Sequence, residues 1–389
     1  MTDPHPTAQF SFDTPGALLM EWDGAARLGE LMAGWFPERE LLIVTDAFLH
    51  DAGLLEPAKA SLLAAGFRIT VFDAVAADPP EAVMLACVDT GIAAGANAVL
   101  GLGGGSSMDV AKLAAFLIRN PQPLAPLYGI GKLQGARAPL VQVPTTSGTG
   151  SEVTNITILT TGETTKMGIV APQLYADKVL LDAALTVGLP PAQTAATGID
   201  AMVHAIEAFT SRHRKNPVSD MHAREALRLL AANLVIACTD GAHRPAREAM
   251  LLGAALAGQA FANSPVAAVH ALAYPLGGHF HLAHGLTNAL MLGPVLRHNL
   301  PAAAPLYAQL ADTLGVGEGT DADRAAAFIA HLEGLMDAAG FKRHLRDHAV
   351  PEESLPMLAR DAMLQTRLLV NNPVEVTEAD ALSLYRQAY

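Results

Sequence analysis

Cysteine is nearly missing from this 389-residue chain: Cys87 and Cys238 stand far apart and form no C-x-x-C pair. That excludes a disulfide framework, and a reducing, cytoplasmic compartment is expected. Charge is scarce too, at 16% of residues, with Lys+Arg 25 against Asp+Glu 38 and no run of five like charges. A net charge of −13 without a basic cluster excludes a surface that tracks nucleic-acid phosphates. No apolar stretch reaches 18 residues without Pro, Gly or charge, and the opening MTDPHPTAQF lacks the basic start and apolar core of a secretory signal. No membrane partner is expected.

The chain instead carries 51% hydrophobic residues, and its length suits two domains at about 150 residues each. Short apolar runs rich in β-branched residues recur in the first half: Leu41–Thr45, Arg68–Phe72, Ala98–Leu102 and Leu140–Val143, with Ala-rich helical stretches between them. That alternation predicts βαβ units and a parallel sheet buried on both faces. After Leu189-Pro190-Pro191 the pattern becomes helix after helix, as in Gln193–Phe209, Asp220–Cys238 and Arg244–Phe261. The expected division is an α/β domain over residues 1–187 and an all-helical domain over 188–389.

Four constellations carry chemistry. Gly101–Lys112 (GLGGGSSMDVAK) places a glycine cluster where a strand gives way to a helix. Glycines let a ligand approach the backbone, and the first N–H groups of the helix attract an anion such as a pyrophosphate. Ser106 stands where a G-x-G-x-x-G pattern needs its last glycine, so the run is not that fingerprint. Pro144–Thr154 (PTTSGTGSEVT) packs hydroxyls and glycines behind another apolar run, suiting a ribose, a carboxamide or a phosphate, or an ordinary polar loop with a helix cap.

Asp200 and His204, four apart within GIDAMVHAIEA, share a helical face among apolar neighbours, where an unpartnered carboxylate is costly. His270, His279, His281 and His284 concentrate four of the chain's 14 histidines in one short segment. Together these residues offer more donors than a catalytic divalent ion needs. Spacing alone leaves open which histidines bind.

In order along the chain, GGGSSMDVAK, PTTSGTGSEVT, GIDAMVHAIEA and VHALAYPLGGHFHLAHG resemble the group III, iron-containing alcohol dehydrogenase family, over about residues 10–385. The resemblance implies a dehydroquinate synthase-like fold, with an α/β dinucleotide-binding domain and a helical metal-binding domain. It implies Asp200, His204, His270 and His284 as ligands of Fe²⁺, with Zn²⁺ as the other candidate. It further implies Gly103, Gly104, Gly105 and Ser106 at the cofactor pyrophosphate, Thr145, Thr146 and Thr149 along the cofactor, and Lys166 near its ribose. A homodimer is expected.

Asp46, at the end of IVTD, falls where the family reads the adenosine ribose; a carboxylate there favours NAD over NADP. Asp73 is its rival, and a plain strand-end cap is the other role open to Asp46. Tyr274 stands where well-known members carry a histidine that relays protons, and His279 or His281 could take that part.

The activity implied is metal-dependent, NAD-linked interconversion of a small alcohol and its aldehyde or ketone. Hydroxyacid–oxoacid transhydrogenases and maleylacetate reductases remain as alternatives. A dehydroquinate synthase-like lyase fits less well, because its phosphate substrate needs basic groups and residues 198–210 and 263–296 contain no Lys or Arg.

Overall fold

The computed structural model describes residues 9–162 and 165–389. They form two compact units. Thr14–Gly188 is α/β, and residues 9–13 group with Leu189–Tyr389 in the helical unit. The short N-terminal stretch belongs there because the Asp13 N–H donates to Asn263 Oδ1 at 2.8 Å, Asn263 Nδ2 donates back to the Asp13 carbonyl, and the Phe12 ring tilts against His222. Sequence pattern put residues 9–13 with the segment that follows them; side-chain pairing ties them elsewhere.

The strands of the α/β unit are β1 (Leu18–Met20), β2 (Glu40–Val44), β3 (Arg68–Phe72), β4 (Ala98–Gly103), β5 (Gly129–Ile130), β6 (Leu140–Pro144), β7 (Ile156–Thr161), β8 (Thr165–Val170) and β9 (Lys178–Leu181). Six of them build a wholly parallel sheet in the order β1-β9-β6-β4-β2-β3. The four apolar runs of the sequence are β2, β3, β4 and β6. Leu41–Val44 and Val99–Leu100 have essentially no exposure, as expected of strands covered on both faces. The helices between strands are α1 (Leu28–Trp35), α2 (Ala47–Asp51), α3 (Glu56–Ala64), α4 (Glu81–Ala93) and α5 (Gly105–Leu117). A second, three-stranded sheet, β5-β8-β7, pairs β7 and β8 antiparallel.

Chain direction across the main sheet reverses between β2 and β4: β3 lies beyond β2, and the chain then crosses back to β4, β6 and β9. In open parallel sheets the carboxyl ends at such a switch point form a natural crevice. The segments that emerge there are Thr45–Asp46 after β2 and the glycine cluster after β4.

The helical unit comprises α6 (Pro191–Thr210), α7 (Pro217–Thr239), α8 (Arg244–Asn263), α9 (Ala268–Phe280), α10 (His284–Leu314), α11 (Asp321–Ala338), α12 (Leu355–Ala362), α13 (Thr366–Leu369) and α14 (Glu378–Ala388). Proline opens α6 and α7, where its missing N–H has no helical partner to lose, and the Asn216 side chain caps α7 by accepting the Ser219 N–H at 2.9 Å. One apolar core joins Ile199, Val203, Ile206 and Phe209 of α6 to Leu227, Leu230 and Leu234 of α7 and to Leu290 and Val295 of α10. Among the described residues no helix is long and apolar enough to cross a membrane.

The tightest backbone approach at a glycine of the α/β unit, among the described residues, is at Gly29. A Cβ on Gly29 in α1 would lie 2.0 Å from the Ser61 carbonyl oxygen of α3, whose backbone cannot yield as a flexible side chain can. Gly29→Ala is therefore expected to cost about 1–3 kcal/mol, the usual penalty of overpacking. A chemical-denaturation midpoint equal to wild type would contradict this close approach.

Candidate metal centre and cofactor cradle

Asp200 and His204 lie one turn apart on α6, His270 on the first turn of α9, and His284 at the first position of α10. Asp200, His204 and His270 are at most 3% exposed, whereas the His284 side chain is 29% exposed. One donor atom from each of the four lies within 4.8 Å of the others. Donors bound about 2.0–2.2 Å from a single ion fall within roughly 4.4 Å of one another, so this spread is near that of a loaded site. The His204 and His270 rings stack with centroids 4.7 Å apart, and those of His270 and His284 are 5.5 Å apart.

Electrostatics suit the cluster to a cation. Burial alone would push the Asp200 carboxyl up, but His204, His284 and His270 together with the Asn288 amide hold it below its ordinary value. Asn288 Nδ2 donates to Asp200 Oδ1 at 2.6 Å and lies 3.2 Å from His284 Nε2. A second carboxylate, Glu207, is 4% exposed and contacts His270 Nδ1 at 2.7 Å. His270 Nε2 is buried with no hydrogen-bond partner among the described residues. Two interior carboxylates, an unsatisfied imidazole nitrogen, and no Lys or Arg in residues 198–210 or 263–296 match a divalent cation.

Tyr274 is one turn beyond His270 on α9. Its ring packs with Val266, Ala271 and Leu368, 6.1 Å from the His284 ring centroid. The two remaining histidines of the cluster have structural places. His279 Nε2 meets Asp361 Oδ2 of α12 at 2.6 Å, and exposed His281 is the left-handed residue that ends α9.

In the α/β unit, register joins two loops. Gly103 of β4 pairs with Pro144 of β6, and the Thr145 N–H donates to the Gly103 carbonyl at 3.0 Å. Gly104 is the N-cap of α5, so the first-turn N–H groups from Gly105 through Ser107 have no acceptor within the helix. The opposite loop closes against them: a Cβ on Gly105 would come within 2.8 Å of the Thr149 side chain, and one on Gly104 within 3.9 Å of Thr146. Thus Gly103, Gly104, Gly105, Ser106, Thr145, Thr146 and Thr149 line one cradle.

A buried polar brace behind this cradle escaped the sequence reading. Asp109 of α5 accepts from Ser151 Oγ at 2.5 Å and from the Ile158 N–H at 2.8 Å. Lys112 pairs with Asp109 at 2.9 Å and donates to the carbonyls of Ser151 and Ile156 and to Thr154 Oγ1. The brace fixes the hydroxyl loop to the helix that begins at the glycines.

Asp46 does cap α2, accepting the Leu49 N–H at 3.0 Å through Oδ1. Its rival Asp73 is engaged with His50 Nδ1 at 2.6 Å, and Lys166 pairs with Asp78 at 2.6 Å. Glu207, Asn288, Asp109 and Lys112 were missed because single polar residues in helical sequence resemble surface positions. The one usable signal was their helical spacing from recognised residues, as with Glu207 three beyond His204.

Glu152, in the short turn Ser151–Val153, generates a pH prediction. Burial pushes its carboxyl up to about 7, against the pull of its own backbone N–H and of Lys112. A raised folded-state pKa gives stability that is complete below the unfolded value of 4.5 and is lost as pH rises through about 7. Glu152→Gln should remove that loss, about 3 kcal/mol across the window, so the variant gains on wild type between pH 5 and pH 8. Parallel stability–pH curves for the two proteins would refute it.

Comparison with known proteins gives concordant results for both units. Residues 15–183 match the family model described as iron-containing alcohol dehydrogenase, and residues 194–389 match the C-terminal model of the Fe-containing alcohol dehydrogenase family. Long-chain-alcohol dehydrogenase 1 of Geobacillus thermodenitrificans is 39% identical over 363 residues, covering 90% of each chain. The crystal structure of a 1,3-propanediol oxidoreductase superposes with a TM-score of 0.94 at 33% identity, over 98% of this chain and 100% of that one. Sulfoacetaldehyde reductase from Bifidobacterium kashiwanohense, solved in complex with NAD⁺, superposes at 0.87 with 28% identity, over 98% and 99% of the two chains.

Proposed function

The chain belongs to the iron-containing alcohol dehydrogenase family, and from that premise we propose that it is a metal-dependent NAD(H) oxidoreductase interconverting a small alcohol and its aldehyde or ketone. The observation that carries the reading is the convergence of Asp200, His204, His270 and His284, donor atoms within 4.8 Å, from segments 198–210 and 263–296 that supply carboxylates and no Lys or Arg. These four would hold Fe²⁺, or Zn²⁺ in its place, since imidazole and carboxylate donors suit both. When bound, the ion supplies a Lewis acid toward the substrate oxygen, and the nicotinamide supplies the hydride acceptor or donor.

The protein's own groups do the rest. The N–H groups following Gly103, Gly104 and Gly105, with Ser106, bind pyrophosphate oxygens, because these donors lack partners within α5. The hydroxyls of Thr145, Thr146 and Thr149 orient the nicotinamide end, and Lys166 approaches the ribose. Asp46 Oδ1 is occupied by its helix cap, leaving Oδ2 to accept from the adenosine ribose and to repel a 2′-phosphate, which favours NAD. Tyr274 borders the site in place of a relay histidine, and the alcohol proton leaves through water or the ribose hydroxyl. The absence of Lys and Arg from residues 198–210 and 263–296 favours a neutral alcohol over an oxo acid. The relatives named above act, by their names, on long-chain alcohols, 1,3-propanediol and sulfoacetaldehyde.

The test is NADH oxidation by protein reconstituted with Fe²⁺ without oxygen, screened across aldehydes, ketones and oxo acids. Turnover of neutral aldehydes or ketones is expected; exchange between hydroxy and oxo acids with no net NADH consumption would replace this reading by the transhydrogenase. Asp200→Ala, His204→Ala, His270→Ala and His284→Ala should each lose bound metal and activity together. Full metal occupancy in His270→Ala or His284→Ala, with loss in His279→Ala or His281→Ala, would reverse the assignment.

Asp46→Ser keeps a capping oxygen while removing the charge, and is expected to shift NADP/NAD preference toward NADP by roughly 10- to 100-fold, about 1.5–3 kcal/mol. An unchanged ratio of kcat/KM for the two cofactors would transfer the role to Asp73.

A further inference from the structure

Glu207 lies three residues beyond His204 on α6 and is 4% exposed. Both its oxygens are occupied. Oε1 accepts the Val269 N–H at 2.7 Å; Oε2 accepts the Ala267 N–H at 2.9 Å and meets His270 Nδ1 at 2.7 Å. An ionised carboxylate only accepts, and with backbone N–H groups donating to both its oxygens the imidazole nitrogen facing it carries the proton. A neutral imidazole has one N–H. With that hydrogen on Nδ1, the lone pair is on Nε2, the buried atom that no protein group satisfies among the described residues.

We propose that Glu207 is a positioning residue of the metal centre, holding His270 in the tautomer and ring orientation that present Nε2 to the ion. The proposal rests on the metal-centre reading above. It also explains why a carboxylate is tolerated in this interior. Ala267, at the N-cap of α9, has no side chain that can cap, and Glu207 satisfies the helix's first N–H groups from a neighbouring helix. One carboxylate therefore starts α9 and aims the histidine on its first turn. Glu207→Gln keeps the size but has a single acceptor oxygen for three donors. The amide NH₂ must then face either the Val269 N–H or His270 Nδ1, and facing Nδ1 it favours the tautomer with the proton on Nε2.

The experiment is a Co²⁺ titration, against a competing chelator, of the metal-free full-length wild type and Glu207→Gln, with the cobalt absorption spectrum and the metal-free Tm recorded for both. The dissociation constant should rise roughly 10- to 100-fold in the variant, with displaced cobalt bands, as when the outer partner of a ligating histidine is removed. A lower metal-free Tm with wild-type affinity and spectrum overturns the proposal and leaves Glu207 as a helix cap alone. A wild type that takes up no Co²⁺ overturns the metal-centre reading, and this proposal with it. Independently of how the variant folds, ¹⁵N-histidine spectra of the metal-free wild type, with His270 assigned by its loss in His270→Asn, should show a protonated Nδ1 and a bare Nε2. The opposite tautomer overturns the proposal.

Discussion

Asp200 and Glu207 put two buried carboxylates on one helix, and residues 198–210 and 263–296 around them hold no lysine or arginine. A buried carboxylate without compensation costs several kcal/mol, so the surroundings have to supply donors or positive charge. Glu207 is answered by two backbone N–H groups and an imidazole, Asp200 by Asn288 and by its three facing histidines. Donors of that kind neutralise only part of the charge. A cation shared by Asp200 and the histidines, as proposed above, would complete the balance, and α9 and α10 both begin at this one arrangement.

The α/β unit solves a different problem with backbone instead of charge. In the function proposed above a nucleotide lies against bare N–H groups, which asks for an accessible helix start with side chains kept out of the way. The pairing of Gly103 with Pro144 sets the two loops side by side, and the small residues at 103–105 leave room for the threonines that follow β6. Asp109 and Lys112 then lock the second loop onto α5 from behind. Moving either strand by one residue would break the brace and the cradle together, because both depend on the same register.

The parts of this architecture legible in the sequence are those where one physical requirement dominates several consecutive residues. β2 and β4 are buried on both faces and read as apolar runs, β6 does so apart from the buried Gln142, and α6, α7 and α8 each carry a long periodic stripe. β1 has three residues at a sheet edge, and β8 alternates between exposed and covered positions in a small separate sheet; neither leaves such a run. The excess of histidine marked the metal segment, but His270 and His284 lie on different helices, and no spacing rule selects them over His279 and His281. Their convergence with Asp200 and His204 is a tertiary fact. Glu207, Asn288, Asp109 and Lys112 were invisible for the same reason: each owes its place to partners dozens of residues away.

Several of these residues do two jobs with the same atoms, which limits what their identity alone reveals. Asp46 illustrates the point. A five-residue helix following a strand needs an N-cap, and Asp supplies one here whether or not a ribose is ever bound. Serine or asparagine would cap almost as well, so the cap explains a short polar side chain but not a charged one. The cap gives Asp46 a backbone N–H and no basic side chain, whereas neighbouring Asp73 meets His50 Nδ1 at 2.6 Å. Carboxylate character at 46 is therefore the surplus that local folding leaves unexplained, and it sits at the end of β2, where the sheet reverses direction and parallel folds receive their nucleotides. The same subtraction applies to Glu207, where capping α9 accounts for an acceptor and the third contact, to a histidine, is what remains.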